Sequence, residues 1–297
     1  YCQDTEGHVP MKTAARRRAP FRDAILRAGG TTSPLGSLTL GGIQPRILQN
    51  LNDGTIDLDV LEKSIRKPGI HFPSSRLICL ENTHNYCSGM PLSTDYMNSI
   101  DALAKKYSLG IHLDGARIFN AAVALSIDVK DLTQQVDSVM FCLSKGLSAP
   151  VGSLICGSED FIRRAIKIRK MTGGGMRQGG HLAAAGIIAL EELVDRLKED
   201  HNNAQCLAEG IDKIEGLWID LENIKTNILY FDIEKGKDRG EELARQTENI
   251  EIYPFEITMD NTHFFESRPG RFRLVTHYGI TQDDVEKSLA ALKNMVK

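Results

Sequence analysis

Residues 111–125 read IHLDGARIFNAAVAL, and residues 137–153 read DSVMFCLSKGLSAPVGS. Ile111–Leu113 is a short apolar run that ends on Asp114 and Gly115, so Asp114 is expected at the carboxyl end of a buried strand. Ser138–Leu143 is a second such run, and Lys145 follows it on a loop closed by Gly146 and Pro150. Open α/β sheets gather ligands outside the carboxyl ends of their strands. This spacing therefore brings an acid and a lysine to one edge of a sheet.

A lysine so placed can form a Schiff base, and a nearby acid can keep a pyridinium nitrogen protonated. Those are the two requirements of pyridoxal phosphate (PLP) chemistry. Any α/β protein also offers a solvated loop lysine and a helix-capping aspartate, so spacing alone leaves both readings open.

Upstream, HFPSSRLICLENTHN (71–85) holds a strand-like run, Arg76–Leu80, that ends at Glu81 and is flanked by His71 and His84. Ser93 or Thr94 caps a helix with Tyr96, Ile100, Leu103, Ala104 and Tyr107 at helical spacing. Strand, helix and parallel strand make a crossover unit, which is right-handed in nearly all cases. LGGIQPRIL (40–48) predicts another strand, and Asp57 is a candidate cap for a short helix bearing Leu58, Leu61 and Ile65.

Downstream, Gly152–Cys156 predicts a strand, and Ser158 caps a helix that carries Glu159 and Asp160 in its first turn. GGGMRQGGH (173–181) follows. Such a loop is either a flexible turn or a place where backbone N–H groups and Arg177 reach a phosphate. Residues 182–207 read as one long helix leading to a second unit, where Leu217–Leu221 and Asn227–Phe231 are expected strands. RFRLVTHYG (271–279) puts Arg273 on a strand, where its fork suits a carboxylate. Thr281 with Asp284 begins a last helix with Val285, Leu289, Leu292 and Val296 on its apolar face.

A chain of 297 residues can hold two domains. A net charge of −3 with interspersed signs argues against a nucleic-acid or membrane-surface role. No apolar run approaches the roughly 20 residues that span a bilayer. The six cysteines lack metal-type spacing, so no metal is expected. Cys79, Cys142 and Cys156 lie in apolar runs, as reduced core cysteines of an intracellular, cytoplasmic protein would. Residues 11–30 are rich in arginine and poor in acids. That is transit-peptide composition, with Phe21–Ala28 the one run able to form an amphipathic helix; a plain basic arm is the alternative, and the first reading would make the protein mitochondrial.

HLDGARIFNAAVA, SKGLSAPVGS and GGGMRQGG, in that order, resemble the low-specificity threonine aldolases, and the resemblance runs from about Leu40 to the end. It implies an α/β fold of the PLP-dependent transferase type (fold type I): a partial, mainly parallel PLP-binding domain at 40–207, a smaller α/β domain at 208–297, and an unmatched, poorly ordered segment at 1–39. It implies PLP held covalently by Lys145, with Asp114 at the ring nitrogen. By the same resemblance Arg273 grips the substrate carboxylate, and Arg117 either joins it or lines the cofactor. His71 lies near the β-hydroxyl, His84 helps shape the substrate site, and Arg177 serves the phosphate of a neighbouring subunit in a dimer or tetramer. The partner is then a small amino acid, threonine or allo-threonine. The family's Ser-Asp-Thr-type segment, Ser-Gly-Thr-type phosphate turn and stacking histidine are not recognisable in residues 1–39. A poor aldolase is therefore expected; an inactive truncated isoform acting through oligomers, or another PLP lyase of this fold, are the alternatives.

Overall fold

The computed structural model describes residues 24–28, 41–67, 69–70, 73–233, 256–259, 262–268 and 271–295. Six strands form the first sheet: β1 (Ala24–Ala28), β2 (Pro45–Leu48), β3 (Ser75–Glu81), β4 (Gly110–Asp114), β5 (Ser138–Cys142) and β6 (Ser153–Gly157). Their order is β2-β1-β3-β4-β5-β6, and every neighbouring pair is parallel except β5 with β6. The carboxyl ends of β3, β4 and β5 thus open on one edge. Glu81 pairs in register with Asp114, and Asp114 with Met140.

The helices α1 (Leu58–Ser64), α2 (Thr94–Tyr107), α3 (Ile118–Leu125) and α4 (Val129–Thr133) pack against this sheet. Leu61, Met97, Ile100, Ile118, Ala121 and Leu132 bury against Ile78, Leu80, Ile111 and Leu113 in one cluster. The cap residues do what their chemistry allows: Asp57 accepts from Val60 N at 2.9 Å and Ser93 from Tyr96 N at 3.2 Å.

After β6 come α5 (Glu159–Met171), α6 (Gly180–Glu192) and α7 (Leu197–Ile211). The second sheet runs β7-β8-β11-β10-β9 and is antiparallel throughout: β7 (Leu217–Ile219), β8 (Ile228–Ile233), β9 (Glu256–Met259), β10 (Thr262–Arg268) and β11 (Arg271–Val275). α7 and the last helix, α8 (Gln282–Met295), cover one face. There Ala204, Leu207, Ile211, Val285 and Leu292 meet Leu229, Phe231, Phe272 and Leu274, with the two phenyl rings stacked at 5.4 Å. Alternation along the strands sends Tyr230, Arg271 and Arg273 to the other face.

Four expectations need correction. Ala24–Ala28, read as part of a helix-forming, irregular segment, is a strand inserted in parallel between β2 and β3. The single helix over 182–207 is broken at 193–196. The break turns Leu193 and Val194 onto the Leu143–Leu147–Ala149 cluster, which a continuous rod would miss. Cys156 is exposed on the outer strand β6 rather than in the core, because no further strand pairs beyond it among the described residues. Leu217–Leu221 shortens to Leu217–Ile219, since Asp220 caps a 3-10 turn over Leu221–Asn223. His71, Val296 and residues 1–23 lie outside the described residues.

Candidate active site

β4 ends on Asp114, and the chain turns at Gly115, whose N–H donates to the Met140 carbonyl at 2.8 Å. A Cβ at Gly115 would sit 2.9 Å from that oxygen, so only glycine lets the turn lie on β5. The Ala116 N–H donates to Asp114 Oδ1 at 3.2 Å, fixing the carboxylate at the sheet edge. Arg117 follows at the N-cap of α3.

Lys145 stands three residues beyond the end of β5, exposed, on a tight loop. Ser148 N–H donates to the Lys145 carbonyl at 2.9 Å and Ala149 N–H to the Leu143 carbonyl at 2.9 Å. Leu143, Leu147 and Ala149 anchor the loop against Ala189 and Leu197, so the amine projects from a rigid base. Among the described residues Lys145 forms no ion pair.

The polar stretch after β3 completes the wall. Asn82 N–H donates to the Asp114 carbonyl at 2.8 Å, and Asn85 N–H to Glu81 Oε1 at 3.1 Å. His84 is buried at 1 % exposure; its N–H donates to the Met90 carbonyl at 3.0 Å, and its Cβ lies 2.9 Å from where Gly54 would carry one. Gly89, at φ +67°, meets Thr226 and Ile228, so this turn is pressed onto the start of β8.

From the second sheet, Arg273 pairs in register with Tyr230, and the Arg271 guanidinium lies 5.0 Å from the centre of the Tyr230 ring. Burial pulls the Arg117 guanidinium down to about 10, and the charge of Arg273 pulls the same way while Cys142, Glu81 and Tyr230 oppose it. Burial likewise pushes the Tyr230 hydroxyl up to about 12. Among the described residues Arg117 makes no hydrogen bond or ion pair, and neither its Nε nor the Tyr230 hydroxyl has a partner. The Arg117 guanidinium, with no hydrogen-bond partner among the described residues, is suited to take up an anion.

Asp114 and Lys145 thus follow adjacent strands at one sheet edge, Arg117 opens the helix beside Asp114, and Arg273 is near enough for its charge to act on Arg117. Arg177 is placed elsewhere: it is exposed in an open cleft with Ile166, Arg169, Lys170 and Met176. Sequence reading missed Glu81 as Asp114's neighbour, Tyr230 beside Arg273, the buried Asn120 and Asn227, and the half-buried His201. Only the RIFN spacing, which returns Asn120 to the Arg117 side of α3, hinted at any of these.

The donor set fits PLP: an oriented carboxylate and an unpaired, exposed amine at adjacent strand ends, beside Arg117, which has no hydrogen-bond partner among the described residues. The class is defined by the β-eliminating lyase family, whose model matches residues 31–234, starting ahead of Leu40. The chain is 41% identical over 260 residues to low-specificity L-threonine aldolase 1 of Arabidopsis thaliana, covering 87% of this chain and 70% of that protein. It is 42% identical over 245 residues to the low-specificity L-threonine aldolase of Escherichia coli K12, covering 82% and 71%. In fold it is similar to the threonine aldolase of Leishmania major, with a TM-score of 0.69 at 20% identity over 94% of this chain and 79% of that one. A PLP-dependent aminotransferase from Streptococcus suis also gives 0.69, at 17% identity over 93% and 71%. The chain belongs to the low-specificity threonine aldolase group of the β-eliminating lyases.

Proposed function

We propose that the chain is a PLP-dependent aldehyde lyase that splits threonine and allo-threonine into glycine and acetaldehyde. The observation that carries this reading is Arg117, half-buried, without a hydrogen-bond partner among the described residues and under the charge of Arg273, beside the Asp114–Lys145 edge, in a chain of this family. Bound PLP supplies an electron sink for the bond-breaking step. Lys145 would hold it covalently, with Asp114 at its ring nitrogen.

Arg117 and Arg273 bind the substrate α-carboxylate through parallel N–H donors, which fixes the amino acid so that its Cα–Cβ bond can align for cleavage. His71 is the candidate base: it takes the β-hydroxyl proton as the C–C bond breaks and the aldehyde leaves. A proton returned to Cα then gives glycine. His84 acts from beneath, shaping the turn that closes the substrate side. Arg177 reaches the cofactor phosphate of a second copy, so the competent form is a dimer or tetramer. The exposed Ile166, Ile168, Met171 and Met176 around it are consistent with such an interface.

The test is product analysis with saturating PLP. Equal amounts of glycine and acetaldehyde from threonine support the reading; pyruvate, ammonia or transamination products in their place would reassign the reaction.

A further inference from the structure

Asn120 lies on α3, one turn beyond Arg117, and is 2 % exposed. Its Nδ2 lies 3.1 Å from His201 Nε2 and 3.3 Å from Asn227 Oδ1, so one amide group has two acceptors when His201 is neutral with its proton on Nδ1. Its Oδ1 faces the lysine loop. A Cβ on Gly146 would fall 2.7 Å from that oxygen and 3.0 Å from Leu197, so the loop rests on Asn120 through a bare glycine backbone. On the far side, Asn227 Nδ2 donates to the Thr276 carbonyl at 2.8 Å, and Thr276 N–H donates back to the Asn227 carbonyl at 3.0 Å. Thr276 directly follows β11, the strand of Arg273, and its hydroxyl donates to the Asp200 carbonyl at 2.6 Å, beside His201. The contacts close a ring through α3, β8, the end of β11 and α7, and the Lys145 loop sits on the ring at Asn120.

We propose that Asn120 is a positioning residue that fixes the Lys145 loop and the Arg273 strand relative to Arg117. The proposal rests on the reading of Lys145, Arg117 and Arg273 as one site. Burial alone does not demand an asparagine here, since a leucine or methionine would fill similar volume. What demands it is an amide group that reaches His201 and Asn227 from one nitrogen. Apolar replacement would leave Asn227 Oδ1 and His201 Nε2 without a donor in the interior. A chain of hydrogen bonds that ties several elements holds them in a single arrangement, which a site tolerant of less than about 1 Å of error requires.

Hydrogen exchange of the unloaded protein tests the coupling, with Asn120→Ala, Asn227→Ala and, as a packing control away from the lysine loop, Val129→Ala. Asn227→Ala should speed exchange about tenfold in residues 143–150, and Asn120→Ala should do so in both 143–150 and 271–277. Val129→Ala should not reproduce the pattern. In the loaded enzyme Asn120→Ala should raise KM for threonine about tenfold while Val129→Ala leaves it unchanged. Exchange confined to residues touching each substituted side chain, or the same pattern from Val129→Ala, overturns the proposal. A wild-type protein that cleaves no threonine would refute the functional reading, while the exchange pattern would still decide whether Asn120 couples the two segments.

Discussion

Arg117 has no hydrogen-bond partner among the described residues and lies under the charge of Arg273, so a bound carboxylate would satisfy a desolvated guanidinium that the free protein leaves unpartnered. Arg117→Gln should therefore raise KM for threonine by about 10- to 100-fold, the value of one or two charge-assisted hydrogen bonds. The unloaded chain should unfold no earlier than wild type, because a desolvated charge without a hydrogen-bond partner has gone. An unchanged KM would remove Arg117 from the carboxylate site. Tyr230 follows the same logic. Its buried hydroxyl lacks a partner, so Tyr230→Phe should leave stability unchanged or raise it by up to about 1 kcal/mol in urea unfolding. A loss above that amount would show that the hydroxyl is bonded.

At the scale of elements, the lysine loop depends on Gly146. Gly146→Ala would drive a Cβ into Asn120 and Leu197, and the loop must shift to accept it. The expected outcome is weakened PLP uptake, read from visible absorbance, by about tenfold or more with a smaller change in unfolding temperature. Undiminished uptake would mean that the loop is not set by this contact. Asp114 and Lys145 were legible in the sequence because short apolar runs mark strand ends, and the acid and lysine are punctuation after them. Asp57, Ser93 and Ser158 were legible for a similar local reason: a capping side chain needs only its own first turn. Asn120 meets His201 and Asn227 across 81 and 107 residues, and no local pattern carries such a meeting. The break at 193–196 was hidden because apolar spacing persists through it, and only the Leu143–Ala149 cluster gives Leu193 and Val194 a reason to turn. Ala24–Ala28 is five residues of mixed preference, and its place between β2 and β3 is decided by the sheet.

At the scale of the whole molecule, the ring of polar contacts joining the two sheets makes stability depend on pH. Burial pulls His201 from 6.5 down to about 4, so the unfolded chain takes up this proton more readily than the folded one. Its contribution is intact above about pH 6.5 and is lost as pH falls toward 4, on the order of 3 kcal/mol in all. Urea unfolding between pH 7 and 4 should show that loss, and His201→Gln should flatten it; an equal slope in the variant would place the titration elsewhere. Among the described residues no helix is long and apolar enough to cross a membrane, and none of α5 is buried. Light scattering should accordingly find a dimer or larger form that Ile168→Asp shifts toward monomer, whereas an active monomer would remove the role given to Arg177. The covalent role of Lys145 is open to direct chemistry. Protein mixed with PLP and reduced with borohydride should carry the pyridoxyl group on the peptide holding Lys145, and Lys145→Ala should carry none. A label on another lysine, undiminished in Lys145→Ala, would contradict the assignment on which the site is built.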